Sequence, residues 1–469
     1  GNLFIMKYEA VIGLEVHVAL KTDSKLFSRS ACDFDAQEFS YFDAGIPGML
    51  PVLSAKPVEM ALKFAVAVNA EIPPVSYFER KHYFYPDLAL GYQITQQHRP
   101  IMIGGIVPIE LDGRKINVQI EHAHLECDAA KSLHDRFTDY AAIDLSRGSS
   151  PLLEIVSTPC LHSPREAKLY AQTICEMVKY LGICDGKLEE GSFRVDASIS
   201  LSKTDVLGTR VEIKNISSFG FLQAALEYEI ERQTEVLDSG QLIDMETRLF
   251  DESTTTTHSM RKKETVHEYR YMPDPDIPAI VLDQDMLKAI REDKHIYYFD
   301  IRQQFVDFFE KFDVKIESVP TLLEGEYRDI WLSMLDDETM QSERFIRMLA
   351  FWLPEAFARI DGEKRSIDVE TIKFLVDSKL EAKEVKETVI RWSNSSADIK
   401  TCLPELMSDD DLKAIILDTF TEFVQQVEQY KSGQEKVLQF IIGKIMAKTK
   451  GKAPATLVRE RVTELIKNV

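Results

Sequence analysis

The stretch VIGLEVHVALKTDSKLFS (residues 11–28) decides the first element of the fold. Leu14, Val16, Val18 and Leu20 share one parity, and Glu15 and His17 share the other. Period-two alternation is the pattern of a half-buried β-strand, because successive side chains leave on opposite faces. Residues two apart on one face stand about 7 Å from each other. The strand therefore aims a carboxylate and an imidazole at one neighbourhood. A solvated outer face is the common fate of such residues. Half of a metal or phosphate site is the alternative.

The pattern recurs along the chain. EHAHLECDAAK (121–131) places His122, His124, Glu126 and Asp128 on one parity and Ala123, Leu125 and Cys127 on the other. In PLLEIV (151–156), Glu154 stands among apolar neighbours. In EEGSFRVDASISL (189–201), Glu190, Ser192, Arg194, Asp196 and Ser198 face one way, and in RVEIKN (210–215), Arg210, Glu212 and Lys214 alternate with Val211 and Ile213. Five strands with one apolar face each predict a sheet lying over a core. A solvated face usually mixes Thr, Ser, Lys and Gln, whereas these faces concentrate Glu, His and Asp. If they converge, the carboxylates repel unless a cation or protons sit between them. Carboxylates with one imidazole suit an oxygen-loving divalent ion such as Mg2+, while a structural zinc site wants thiolates or more His. Metal-assisted phosphoryl or acyl chemistry is the reading the spacing allows.

Around these strands lie helical runs. VEMALKFAVAVNA (58–70) stops before Pro73 and Pro74, REAKLYAQTICEMVKYLGI (165–183) follows Ser163-Pro164, and FLQAALEYEIERQTEVLDSG (221–240) closes on a glycine. Alternation without a regular βαβ rhythm predicts an α+β domain on a mostly antiparallel sheet over residues 1–295. YRYMPDPDIPAIVLD (269–283) reads as its exit. Beyond it, QQFVDFFEKF, SERFIRMLAFWL and VETIKFLVDSKL carry helical spacing, so residues 296–400 read as a helical domain and 401–469 as a small helical tail.

Composition narrows the class. The chain has 469 residues, 45% of them hydrophobic, and a net charge of −21. A surface of that sign repels nucleic acid, so any RNA partner must meet a local basic patch. The tail supplies one: residues 430–469 hold nine Lys/Arg against three Glu. No run of eighteen apolar residues predicts a membrane span. The six cysteines form no C-x-x-C pair, which argues for free thiols and against a zinc ribbon. GNLFIMKYEA at the start is neither an Arg-rich presequence nor a signal peptide. P-loop, G-x-S-x-G and H-E-x-x-H motifs are absent, and RGSSP (147–151) reads as a Gly/Ser turn rather than a nucleophile.

Eight stretches in order carry a resemblance: VIGLEVHVALKTDSKLFS, GIPGMLPVLS (45–54), ERKHYFYPDLALGYQITQ (79–96), HLECDAAKSLHD (124–135), PLLEIVSTP (151–159), RVDASISL (194–201), VEIKNISSF (211–219) and EYRYMPDPDIP (268–278). They resemble the GatB/GatE family, the B subunits of glutamyl-tRNA(Gln)/aspartyl-tRNA(Asn) amidotransferases, and the likeness resumes at KVLQFIIGKIMAKTKGKAP (436–454). The resemblance implies a catalytic cradle domain and a tRNA-binding tail. It implies an enzyme, a ligase forming C–N bonds with glutamine as amido donor. Mg2+ and ATP phosphorylate the side-chain carboxylate of the misacylated residue, and ammonia then displaces phosphate. An A-type glutaminase partner of the amidase family supplies the ammonia, and a C-type partner or an equivalent strap joins the two. The substrate implied is Glu-tRNA(Gln), with Asp-tRNA(Asn) as a second.

Onto that chemistry the residues fall as follows. Glu15, His17, Glu126 and Glu154 form the expected metal site. Arg194 and Lys214 neutralise the transferring phosphate, and Asp196 or Asn215 orients water or substrate. Lys81 lies where the family places a polar channel residue, with a surface lysine beside a Tyr-rich loop as the alternative. Cys127 stands where the family often has a second acid proposed as a channel gate, and its parity turns it away from Glu126. Cys32 stands alone where many bacterial members pair cysteines on zinc, so no zinc is expected. RGSSPLLE departs from the usual bacterial wording. Lys444, Lys448, Lys450, Lys452, Arg459 and Arg461 are the expected tRNA contacts; a solvated helix face is the ordinary reading of such a run. SYFDAGIPGMLPVL, RKHYFYPDLALGYQITQQHRP and AKSLHD are worded closer to mitochondrial members, which predicts the mitochondrial matrix, with the bacterial cytoplasm as the alternative. A non-catalytic tRNA-binding scaffold of the same fold and a stand-alone metallohydrolase are the competing readings.

Overall fold

The computed structural model describes residues 8–32, 38–133, 139–262, 269–316, 318–378, 380–404, 407–450 and 452–467. The first residues of the chain, the last two of the 124–135 motif, Glu268 and Gly451 lie outside the described residues. The chain divides into two compact units, residues 1–303 and 304–469.

The first unit is α+β. Five strands carry the polar faces read from the sequence: β1 (Glu9–Ala19), β2 (Arg114–Cys127), β3 (Pro151–Ser157), β4 (Phe193–Ser202) and β5 (Val211–Ile216). They belong to a nine-stranded sheet. Its order runs Thr256–Lys262, Glu246–Asp251, β5, β4, β1, β3, β2, Met102–Ile103, with Ile106–Leu111 also paired to β2. All pairings are antiparallel except that of β5 with Glu246–Asp251. Ile12, Leu14, Val16 and Val18 of β1 are buried, as are Leu153, Ile155, Ala197 and Ile199 of its neighbours and Leu125 of β2. A one-residue slip would turn that whole set into solvent, so burial fixes the register.

Three helices follow the sequence signals, with shifted ends. The helix read at 58–70 begins earlier, at Ala55, and runs to Ala67, because Pro57 falls in the first turn where a missing N–H is tolerated. Helix α1 is that segment; α2 spans Pro164–Tyr180 and α3 spans Phe219–Asp238. Ser163 Oγ accepts the Glu166 N–H and Ser218 Oγ accepts the Phe221 N–H, so both helices start at serine caps. Helices α2 and α3 pack together and lie on β1 and β4, closing the core. A smaller sheet of Glu79–His82, Tyr92–Thr95 and Met272–Pro273 brings the ERKHYFYPD segment beside the residues after 268.

The second unit is helical throughout its described residues. Phe305 and Phe309 pack edge-on against buried Trp331. Arg344 has carbonyls rather than an acid for partners: Val376 at 2.8 Å and Leu380 at 2.5 Å, at the end of the Val369–Asp377 helix. Leu412, Ile416, Phe420, Ile441, Ile445, Val458 and Val462 form the core of the tail. Among the described residues, no helix is long and apolar enough to cross a membrane.

Candidate active site

Strand register builds the site. His17 on β1 stands opposite Arg194 on β4 and Glu154 on β3, and Glu154 stands opposite His124 on β2. Four strands thus deliver one transverse row, Arg194–His17–Glu154–His124, to the polar face. Glu126, two residues beyond His124, completes the cluster. His17 Nε2 lies 3.5 Å from Glu126 and 3.3 Å from Glu154, and one ligand atom from each of these three residues falls within 4.8 Å of the others. His124 Nε2 approaches the same carboxylates, at 3.4 Å from Glu126 and 3.1 Å from Glu154. Thr95 Oγ1 donates to Glu126 at 3.3 Å.

Charge explains why the cluster holds together. Burial pulls both imidazoles toward the neutral form, but the carboxylates outweigh it and hold His17 up to about 9 and His124 up to about 10. Burial likewise opposes the charge of Glu154, yet His124 and His17 keep its carboxyl well below the usual range. Two carboxylates and an imidazole are a hard, oxygen-dominated donor set of the kind Mg2+ takes. His124 is the residue the sequence reading placed on the right face without giving it a role. Its Nδ1 is buried with no hydrogen-bond partner among the described residues, and only the register shows its Nε2 meeting the same acids as His17.

Glu15 stands outside the three-residue group. One row along β1 it faces Asp196, and its carboxyl is raised by burial and by the charges of Glu154, Glu212 and Asp196. Lys214 Nζ sits in that second cluster, 2.6 Å from Asp196 and 3.0 Å from Glu212. Arg194 Nη2 donates to Asp128 at 3.1 Å. A groove of about 300 Å³ opens beside Glu15, with Glu121, Ser157, Ser198, Ser200 and Arg210 on its wall. Asn215 turns away. A bulge interrupts the β4–β5 pairing, Asn215 has φ +67°, and its amide donates to the Phe250 carbonyl at 2.9 Å. Strict alternation does not survive a bulge.

Lys81 lies in an aromatic setting, with its ammonium 4.7 Å from the Tyr269 ring centre and 5.6 Å from that of Tyr83. The Tyr83 and Tyr271 hydroxyls are pushed up by burial and by charges that include Glu126, and the strand paired with Glu79–His82 carries Thr95, which bonds Glu126. Cys127 is buried, and its thiol is raised by burial and by Asp43. Cys32 is free and half-buried, with Thr22 Oγ1 at 3.8 Å.

The tail residues divide. Lys448 is held by Asp418 at 2.8 Å and Glu422 at 2.6 Å, and Arg461 by Asp409 and Glu464, each at 2.8 Å. Lys444 lies over the Phe440 and Phe423 rings, at 5.3 and 5.6 Å. Lys450, in the left-handed region at φ +48°, Lys452 and Arg459 are exposed.

Comparison with known proteins joins the two units to one lineage. The GatB/GatE catalytic domain matches residues 10–288, and the GatB domain matches residues 362–466. The B subunit of aspartyl/glutamyl-tRNA(Asn/Gln) amidotransferase from Legionella pneumophila (strain Corby) is 38% identical, covering 96% of this chain and 97% of the relative. The protein of the same name from Nitrosococcus oceani is 39% identical, covering 98% and 99%. That of Coxiella burnetii is 37% identical, covering 97% and 99%. With both domains in order and nearly the full length matched, the chain belongs to the GatB/GatE family of tRNA amidotransferase B subunits.

Proposed function

We propose that this chain activates and amidates the side-chain carboxylate of Glu-tRNA(Gln), and of Asp-tRNA(Asn) where that substrate is offered, using ATP. The observation that carries the reading is the convergence of His17, Glu126 and Glu154 on one point of the polar sheet face. A carboxylate is a poor acyl donor because its leaving group is oxide. Attack of a carboxylate oxygen on the γ-phosphorus expels ADP and leaves an acyl phosphate. Ammonia then forms the C–N bond as phosphate departs.

His17, Glu126 and Glu154 would hold Mg2+, with Glu15 beside them. When bound, Mg2+ supplies charge neutralisation between the nucleotide and an anionic substrate. The protein's own part is positioning. The groove walled by Ser198, Ser200 and Arg210 reaches Glu15, one row along β1 from His17, and its Arg210 and serine hydroxyls are the groups there that could meet a nucleotide. Asp128 and Asp196 hold Arg194 and Lys214 in place, which presents two fixed cations to a transferring phosphate. The aromatic setting of Lys81, whose strand partner Gln93 donates to the Cys127 carbonyl next to Glu126, supports the entry of a small neutral nucleophile from that side. A glutaminase partner supplies it, a third protein straps the assembly, and the exposed tail cations approach the tRNA backbone. The wording of the 40–53 and 80–100 stretches supports a mitochondrial form.

The test is Glu154→Gln in the assembled enzyme with Glu-tRNA(Gln). Glu-tRNA-dependent ATP hydrolysis and amide formation are expected to fall on the order of 100-fold, with tRNA affinity retained. Wild-type rates in that variant would overturn the assignment.

A further inference from the structure

On the other side of Glu126, the end of β2 closes a small cavity of about 30 Å³. Asp43, Asp87, Cys127, Asp128, Leu145 and Gly148 are among its walls. Asp43 is 3% exposed, and one of its carboxylate oxygens is fully engaged: Oδ2 accepts the Ser28 hydroxyl and the Ser40 N–H, both at 2.8 Å. The other, Oδ1, is buried with no hydrogen-bond partner among the described residues. An unsatisfied carboxylate oxygen away from water costs more than almost any other polar group. Folding does not normally leave one without a ligand.

Charge says what the ligand is. Three carboxylates border the cavity, and two cations attend them. Lys25 Nζ donates to the Leu145 carbonyl at 3.2 Å and the Gly148 carbonyl at 2.6 Å, and Arg194 pairs with Asp128 at 3.1 Å. Lys25 is fully buried; burial works against its charge, and the neighbouring Asp43 carboxylate favours it. One negative charge remains in a space that admits one or two water-sized particles. The carboxylates of Asp43, Asp87 and Asp128 on this wall are oxygen ligands of the kind a hard cation takes.

We propose that the cavity is a binding site for one monovalent cation of the potassium and ammonium size class, seated on Asp43 Oδ1. Its source is either resident potassium or ammonium formed from the reaction's own nitrogen. The second source rests on the transamidation reading; occupancy of the site does not.

The test is made on crystals of the full chain soaked in thallium(I), which matches both ions in charge and size. An anomalous peak beside Asp43 Oδ1 is expected. Asp43→Asn keeps the contacts to Ser28 and Ser40 but turns an amide toward the cavity, and is expected to weaken thallium(I) binding by more than about tenfold. Displacement of the peak by ammonium at lower concentration than by potassium assigns the site to the reaction's nitrogen; the reverse order assigns it to a resident potassium ion. A cavity holding only water in the thallium(I)-soaked wild type overturns the proposal, as does a peak that survives Asp43→Asn. Neither negative result touches the metal site at Glu154, because the readout is occupancy rather than turnover.

Discussion

Lys25 shows how far a single residue can depart from its usual place. A lysine ammonium normally reaches solvent, yet this one is completely buried and spends two donors on the Leu145 and Gly148 carbonyls. Burial lowers its tendency to carry a proton, and Asp43 opposes that. Lys25→Met preserves the stem but removes the donor of the Gly148 carbonyl, while Leu145 keeps the Gly148 N–H at 3.0 Å, so a loss of about 1–3 kcal/mol in denaturant unfolding is expected. A change below measurement error would show that the Gly148 carbonyl finds another partner. In the sequence, Lys25 reads as one more polar residue in KTDSKLFS. The parity of Glu15, His17, Glu126 and Arg194 was legible because period two is geometric. Convergence was not, because it depends on which strands are neighbours. The order β4–β1–β3–β2 puts Glu154 between His17 and His124, and no local pattern announces that order.

At the scale of elements, caps were readable and ends less so. Ser163 before Pro164 announced α2, and its hydroxyl does accept the Glu166 N–H. Ser163→Ala is expected to cost about 1 kcal/mol, measured by thermal or urea unfolding. The anchor of α3 was hidden. Glu229, fully buried, takes two donors from Arg232, a third from Gln233 and the Thr257 hydroxyl, and Arg248 lies 3.1 Å away. The helix is thereby fastened to the two strands at the sheet edge. Burial disfavours the Glu229 charge, but these donors outweigh it and hold the carboxyl below the ordinary glutamate range. A depressed carboxyl contributes stability that is complete above the unfolded value, about 4.3, and lost as pH falls through the folded one. Glu229→Gln is therefore expected to destabilise by about 3 kcal/mol at pH 7. The gap from wild type should narrow in denaturation series below about pH 4.3. A gap independent of pH would mean the ion pairs contribute little.

Across the whole molecule, an acidic chain must confine any grip on tRNA to a few groups. Composition located the basic tail but not its internal pairing. Lys448 already has two acidic partners, whereas Lys444 and Arg459 are exposed. In salt-titrated tRNA binding, Lys444→Ala and Arg459→Ala are each expected to lower the slope of log affinity against log salt by about 0.7–0.9. Lys448→Ala is expected to leave it unchanged. Equal effects from all three would point to diffuse attraction rather than defined contacts.

Gly208 borders the groove beside Glu15, and a methyl group there would sit 2.1 Å from the Leu201 carbonyl oxygen. Nothing larger than hydrogen fits without moving backbone. A compound seated against Gly208 would thus meet one point of the groove that drug resistance cannot remodel by the ordinary route of a bulkier side chain.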